Sequence, residues 1–201
     1  NAKYVTEGFR DTEGLPWMIQ KATGYKYECE RKQIYIQDHE LLVGGVGFKP
    51  RCGILNPDSA SGVIEREVDT ISTRPFDPFY LSDEGKQVYL NDVKDYWKNK
   101  CVLDRWNLML PEDVKRLRAN GAIFIDRKAV RGYGETTVDW RMIVNKGIGA
   151  LKKEAEEALA KLDDATPGDL EKSFFYKSEI MVADAIIHLS NRHADLAEKM
   201  A

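Results

Sequence analysis

The 201 residues include only three histidines and three cysteines, and both shortages limit the available chemistry. Cys29, Cys52 and Cys101 are widely spaced, odd in number and form no CxxC pair. They therefore suggest neither a zinc site nor a disulfide framework, and a reducing, cytoplasmic compartment is the default. His188 and His193 lie five apart on a helical stretch and diverge too far to share a metal, so each is expected to be solvated or locally bonded. No apolar run approaches the length of a membrane span. Positive charge is not in excess: 30 Lys and Arg against 33 Asp and Glu leave a net charge of -3. That argues against a nucleic-acid or polybasic membrane partner, either of which needs a clustered basic face.

Several familiar motifs are also missing. No serine sits in a GxSxG elbow, and no cysteine has an evident histidine partner. "GGVGFKP" invites a phosphate-loop reading through Gly45 and Gly47, but it lacks the third glycine, and Pro50 stands where a helix would follow. A tight turn beside a strand fits better. No metal or organic cofactor site is expected in these residues.

What is present reads mostly as helix. With 43% hydrophobic and 31% charged residues, the chain can bury one sizeable core or two small ones. Leu15 to about Arg31 carries Trp17, Met18, Ala22 and Tyr25 at loosely helical spacing, with Thr12 ahead as a cap. "QIYIQ" and "ELLVGG" predict two short strands turned at Asp38. "FKPRCGILNPD" predicts an irregular ordered loop, followed by a helix over 59–69. Ser82 is placed to cap a helix carrying Val88, Leu90, Tyr96 and Trp97. Pro111 suits the first turn of another helix, and Asn120-Gly121 its end. Tyr89, Tyr96, Trp97 and Trp106 are expected in the core.

The C-terminal region carries the clearest periodicity. Val144, Ile148, Leu151, Ala155, Leu159 and Leu162 predict one amphipathic helix of several turns. After "DDATPGD", Thr166 with Asp169 predicts a capping box, with Pro167 in the first turn. A second helix follows, its stripe made by Phe175, Ser178, Val182, Ala185, Ile186, Leu189 and Leu196. Two long helices joined by a short turn should pack antiparallel.

One loop stands out, "AVRGYGETTVDW", residues 129 to 140. Thr136 with Asp139 fits a helix start, and Glu135 would lie just outside that cap, where the helix dipole favours its ionised form. Gly132 and Gly134 allow close approach of the backbone. Arg131, four residues before Glu135, either pairs with it at the surface, a contact worth little, or shares a ligand with it. Pattern alone favours the surface pair.

The order of segments carries a further signal. "YVTEGFRDTEGLPWMIQKA", "IYIQDHELLVGG", "KPRCGILNP", "EVDTISTRPFDPFYLSDE" and "FFYKSEIMVADAIIHLSNRHADLAEKMA" together resemble the N-terminal part of glycyl radical enzymes. The likeness, over about 3–201, is to the pyruvate formate-lyase-like group that includes glycerol and diol dehydratases, choline trimethylamine-lyase and isethionate sulfite-lyase. It implies that residues 1–201 are an incomplete domain. The expected fold is mainly α with a few short strands, the helical N-terminal portion of an α/β barrel, ending in the antiparallel helix pair.

The resemblance also implies chemistry. A radical-SAM activating enzyme installs a glycine radical, and a cysteine becomes a thiyl radical that abstracts hydrogen from a small polar substrate. A neighbouring C–O, C–N, C–S or C–C bond then breaks. The cysteine and glycine loops of that family are absent here, since the cysteines lie in "ECE", "RCG" and "KCV". The chain alone is therefore expected to be inactive, with no catalytic residue of its own. Its implied contribution is substrate binding by Arg131 and Glu135, with Tyr133 as a further candidate, in an enzyme that is a homodimer when full length. The rival expectation is a non-catalytic helical domain, derived from this family, that binds another protein.

Overall fold

The computed structural model describes residues 1–45, 47–124, 137–163 and 165–201. Its described elements are helical, and among the described residues no helix is long and apolar enough to cross a membrane. The chain divides into two compact units, one formed mainly by residues 3–52 and 138–201 and the other by 53–137.

The first unit is built on α1 (Ala2–Asp11), α2 (Trp17–Arg31), α8 (Trp140–Lys146), α9 (Ile148–Leu159) and α10 (Asp169–Met200). The 32 residues of α10 make a rod about 48 Å long. Small side chains let its neighbours come close: Ser173, Ser178, Ala183 and Ala185 are buried on α10, as are Ala22, Thr23, Gly24 and Cys29 on α2. The buried hydroxyls cost little, because each bonds its own helix; Ser178 donates to the Phe174 carbonyl at 2.8 Å and Thr23 to that of Ile19 at 2.9 Å. Thr23 also lies 3.5 Å from the Met181 sulfur. Farther along, the Arg192 guanidinium donates to the carbonyls of Cys29 at 2.6 Å and Lys32 at 2.7 Å. Thr23 meets Met181 and Cys29 meets Arg192, so α2 and α10 advance in the same direction. The fork satisfies carbonyls that the end of α2 leaves without intrahelical donors, and its positive charge suits that end of the helix dipole.

The second unit contains α3 (Pro57–Glu67), α4 (Asp83–Val88), a π-turn (Tyr89–Val93), α5 (Lys94–Trp97), α6 (Val102–Met109) and α7 (Glu112–Ala119). Its core is Tyr89, Val93, Trp97 and Cys101. Ala60 leaves helical geometry at φ -154°, ψ 63°, and the kink opens the backbone at Ser61. Tyr89 fills the opening: its hydroxyl donates to the Ser61 carbonyl at 2.9 Å and lies 2.7 Å from Ser61 Oγ. The π-turn, which adds a residue to the helical ladder, carries Tyr89 at its first position.

Several expectations hold. Ser82 caps α4 by accepting from the Gly85 amide at 3.1 Å. Asn120 ends α7 before Gly121 at φ +72°, while Pro111 precedes the helix as its N-cap rather than lying in its first turn. Tyr89 and Trp97 are in the core.

Others are corrected. The two predicted strands are absent; among the described residues no β-ladder forms, because an extended segment becomes a strand only when a second one pairs with it. Helix α1 was not anticipated, and Thr12 closes it by donating to the Gly8 carbonyl at 2.6 Å rather than capping α2. The helix expected over 59–69 begins at Pro57. The single helix expected from Val144 to Leu162 is broken by Gly147 at φ +79°, which ends α8 and starts α9. Asp169 is no partner in a Thr166 capping box: Gly168, at φ +87°, precedes α10, and Asp169 accepts from the Asp163 amide at 3.3 Å. Phe175, assigned to the buried stripe, is exposed.

Candidate functional site

Arg131, Tyr133 and Glu135 fall in 125–136, outside the described residues. The chain on either side is described. Upstream, the amides of Ala122 and Ile123 donate to the Leu117 carbonyl at 2.9 and 3.3 Å, folding the chain back over the end of α7. Downstream, Asp139 caps α8, its carboxylate accepting from the Met142 amide at 3.0 Å. The cap expected at Thr136 lies outside the described residues, and the described helix start takes Asp139 as its cap. Glu135, expected beside that cap, also lies outside the described residues.

In chain order residues 125–136 come just before the division between the two units, which falls between Thr137 and Val138. Connections between rigid elements often carry binding residues, because they vary without disturbing a core.

The thiols behave as packing groups. Cys29 and Cys101 are buried, and burial pushes both thiols up from their ordinary value. A raised thiol holds little thiolate near neutrality and is a poor nucleophile. Among the described residues no group of three His, Cys, Asp or Glu could hold a metal ion. His188 is exposed.

His193 was underrated by the sequence. It is buried on α10, and its Nδ1 lies 2.9 Å from the Leu189 carbonyl, while Nε2 has no hydrogen-bond partner among the described residues. It lines a groove of about 350 Å³ together with Val43 and Gly44 on one side and Ser190, Ala194 and Ala197 on the other. No periodicity marks such a site, because an imidazole on an inward face looks like any core position.

The glycines read as a turn have a steric role. A methyl group on Gly45 would stand 2.5 Å from the Tyr35 hydroxyl, and one on Gly47 would stand 2.3 Å from Cys52 Cβ. The segment with Tyr35 and the segment with Gly45 therefore lie against each other without exchanging backbone hydrogen bonds.

Comparison with known proteins settles the family. The pyruvate formate lyase-like family model matches residues 1–201. The chain belongs to the pyruvate formate lyase-like family. It is 31% identical to isethionate sulfite-lyase of Nitratidesulfovibrio vulgaris, in a match covering all of this chain and 25% of that protein. The B12-independent glycerol dehydratase of Clostridium butyricum superposes with a TM-score of 0.89 at 30% identity, over 99% of this chain and 25% of the other. A glycyl radical enzyme of Archaeoglobus fulgidus gives 0.86 at 26%, over 98% and 25%. The chain thus spans about a quarter of the length of these relatives. Their lyase and dehydratase activities set the general class to which it is related.

Proposed function

We propose that these residues are the amino-terminal part of a longer, cytoplasmic glycyl radical lyase, in which they supply scaffold and substrate contacts. The supporting observation is the match itself: 99% of the chain superposes on 25% of glycerol dehydratase with a TM-score of 0.89. In this reading a glycyl radical, installed by a radical-SAM activating enzyme, supplies hydrogen abstraction through a cysteine thiyl. Both groups lie outside these residues, consistent with the inert, buried thiols of Cys29 and Cys101. The full-length enzyme is a homodimer, and its α9 and α10 form the antiparallel pair.

Arg131 and Glu135 make opposite demands, and one kind of substrate meets both. A guanidinium grips a carboxylate or sulfonate through two parallel hydrogen bonds. A carboxylate repels such an anion in a desolvated site but accepts a hydrogen bond from a hydroxyl. A small molecule with an anionic group at one end and a hydroxyl near the other places each beside its match, with Tyr133 available as donor. The sulfite-lyase relative acts on isethionate, a molecule of this type.

The test uses the longer enzyme. Glu135→Gln is expected to lower kcat/KM by roughly 100-fold or more, the scale of a lost contact made in the transition state. The glycyl-radical signal should persist at parental intensity. Unchanged turnover refutes the loop assignment. A native polypeptide no heavier than the 22.9 kDa of this chain refutes the enzyme reading.

A further inference from the structure

Residues 33–45 pose a problem of backbone accounting. Ile34, Tyr35, Ile36 and Leu41 through Gly45 make no backbone hydrogen bond among the described residues, although a turn at 38–39 is closed by the Glu40 amide donating to the Gln37 carbonyl at 3.0 Å. Their sequence is that of strands, alternating or apolar and ringed by turn residues. Leu41 and Leu42 are 98% and 93% exposed. A folded protein rarely leaves such a run both apolar and unpaired, since free N–H and C=O groups call for partners that a further strand can supply, although the backbone bends at Leu41 and Leu42 as it stands here.

A second observation points to the same place. Val43 and Gly44, within the unpaired segment, form one side of the groove of about 350 Å³ whose other side includes His193. If Nδ1–H donates to the Leu189 carbonyl 2.9 Å away, Nε2 is left as a buried acceptor with no donor. Burying such a group unpaired forfeits its hydration with nothing in return, so a donor is called for. Ser190, Ala194 and Ala197 keep that side of the groove low enough for a backbone to approach.

We infer that this groove is the seat of a β-strand from the part of the longer polypeptide outside these 201 residues. The strand pairs with Leu41–Gly45 by backbone hydrogen bonds and offers one N–H or O–H donor to His193 Nε2. The inference rests on reading the chain as a quarter of a longer enzyme, and it explains why a sequence that predicts strands forms none by itself. Strand addition of this kind draws affinity from the main chain and specificity from side chains seated in adjoining pockets.

The test is amide hydrogen exchange on the full-length enzyme, combined with a benzophenone-bearing residue at position 42 for photocross-linking. Amides of Leu42 through Gly45 should exchange roughly 100-fold or more slowly relative to an unstructured chain, as paired strands do. The cross-link should join position 42 to a peptide of the same polypeptide lying outside these residues. His193→Leu should reduce the protection at least tenfold, whereas His193→Gln, which keeps an acceptor, should retain most of it. Free exchange, or a cross-link to a second copy or to a peptide within these residues, overturns the inference. An enzyme that carries its radical yet leaves 41–45 unprotected sinks the strand alone. A native polypeptide of 22.9 kDa sinks the enzyme reading and the strand together.

Discussion

Gly8 and Gly24 meet where α1 crosses α2, and a methyl group on Gly8 would stand 2.6 Å from the Gly24 Cα. Backbone rather than a movable side chain blocks the space. Gly8→Ala gains about 0.5–1 kcal/mol of helix propensity but must push two helices apart, which typically costs about 1–3 kcal/mol. Net destabilisation is expected in chemical denaturation. Gly62→Ala is the control, because nothing lies within 4 Å of its added methyl, and it should stabilise by about 0.5–1 kcal/mol.

Arg192 joins α10 to the end of α2 through two carbonyls. Arg192→Ala should destabilise the fold by about 2–3 kcal/mol, the scale of a charged hydrogen bond lost from a partly buried site. Arg192→Lys should recover less than half, since an ammonium on a flexible stem cannot reproduce the planar fork. Unfolding midpoints of the two variants check this; equal stability of all three proteins would contradict it.

Tyr89, 1% exposed, has its ionisation pushed up to about 12, chiefly by burial. Its folded value lies above the ordinary 10, so its contribution is complete below about pH 10 and is lost as pH rises through about 12. Tyr89→Phe removes the hydroxyl from Ser61 and should cost about 1–2 kcal/mol at neutral pH. The gap between parent and variant should narrow across that alkaline window. Burial also raises Tyr25, so the difference between the two proteins, rather than either curve alone, is the measurement.

Asp139 fixes the start of α8 directly after the candidate loop. Asp139→Ala should destabilise the helix start by about 1 kcal/mol, seen as faster exchange of the Met142 amide, while Asp139→Asn should recover most of it. An unchanged Met142 amide would show that the cap does not set this boundary.

Some local signals were legible because their chemistry acts over a few residues, although the caps expected at Thr12 and Thr166 did not form. Ser82 before α4, and Asn120-Gly121 after α7, were readable because caps are formed by neighbours in sequence. The helical character of 144–162 was readable too, but Gly147 interrupts it, since a glycine's freedom to take positive φ leaves no mark on hydrophobic spacing. Phe175 fits the apolar stripe by period and is nonetheless exposed, because the period names a face without naming what covers it. The candidate loop was found by segment order and residue type, and its three side chains fall outside the described residues.

The sequence alone determined the helical class, the ends at Ser82 and Asn120-Gly121 and the family resemblance, since each depends on local spacing or on the order of segments. Tertiary structure decided which groups meet: Gly8 with Gly24, Arg192 with the Cys29 carbonyl, Tyr89 with the kinked backbone at Ser61. It also decided that 33–37 and 41–45 form no strands here. Helices close their hydrogen bonds within one segment, whereas a strand needs a partner that its own residues cannot specify.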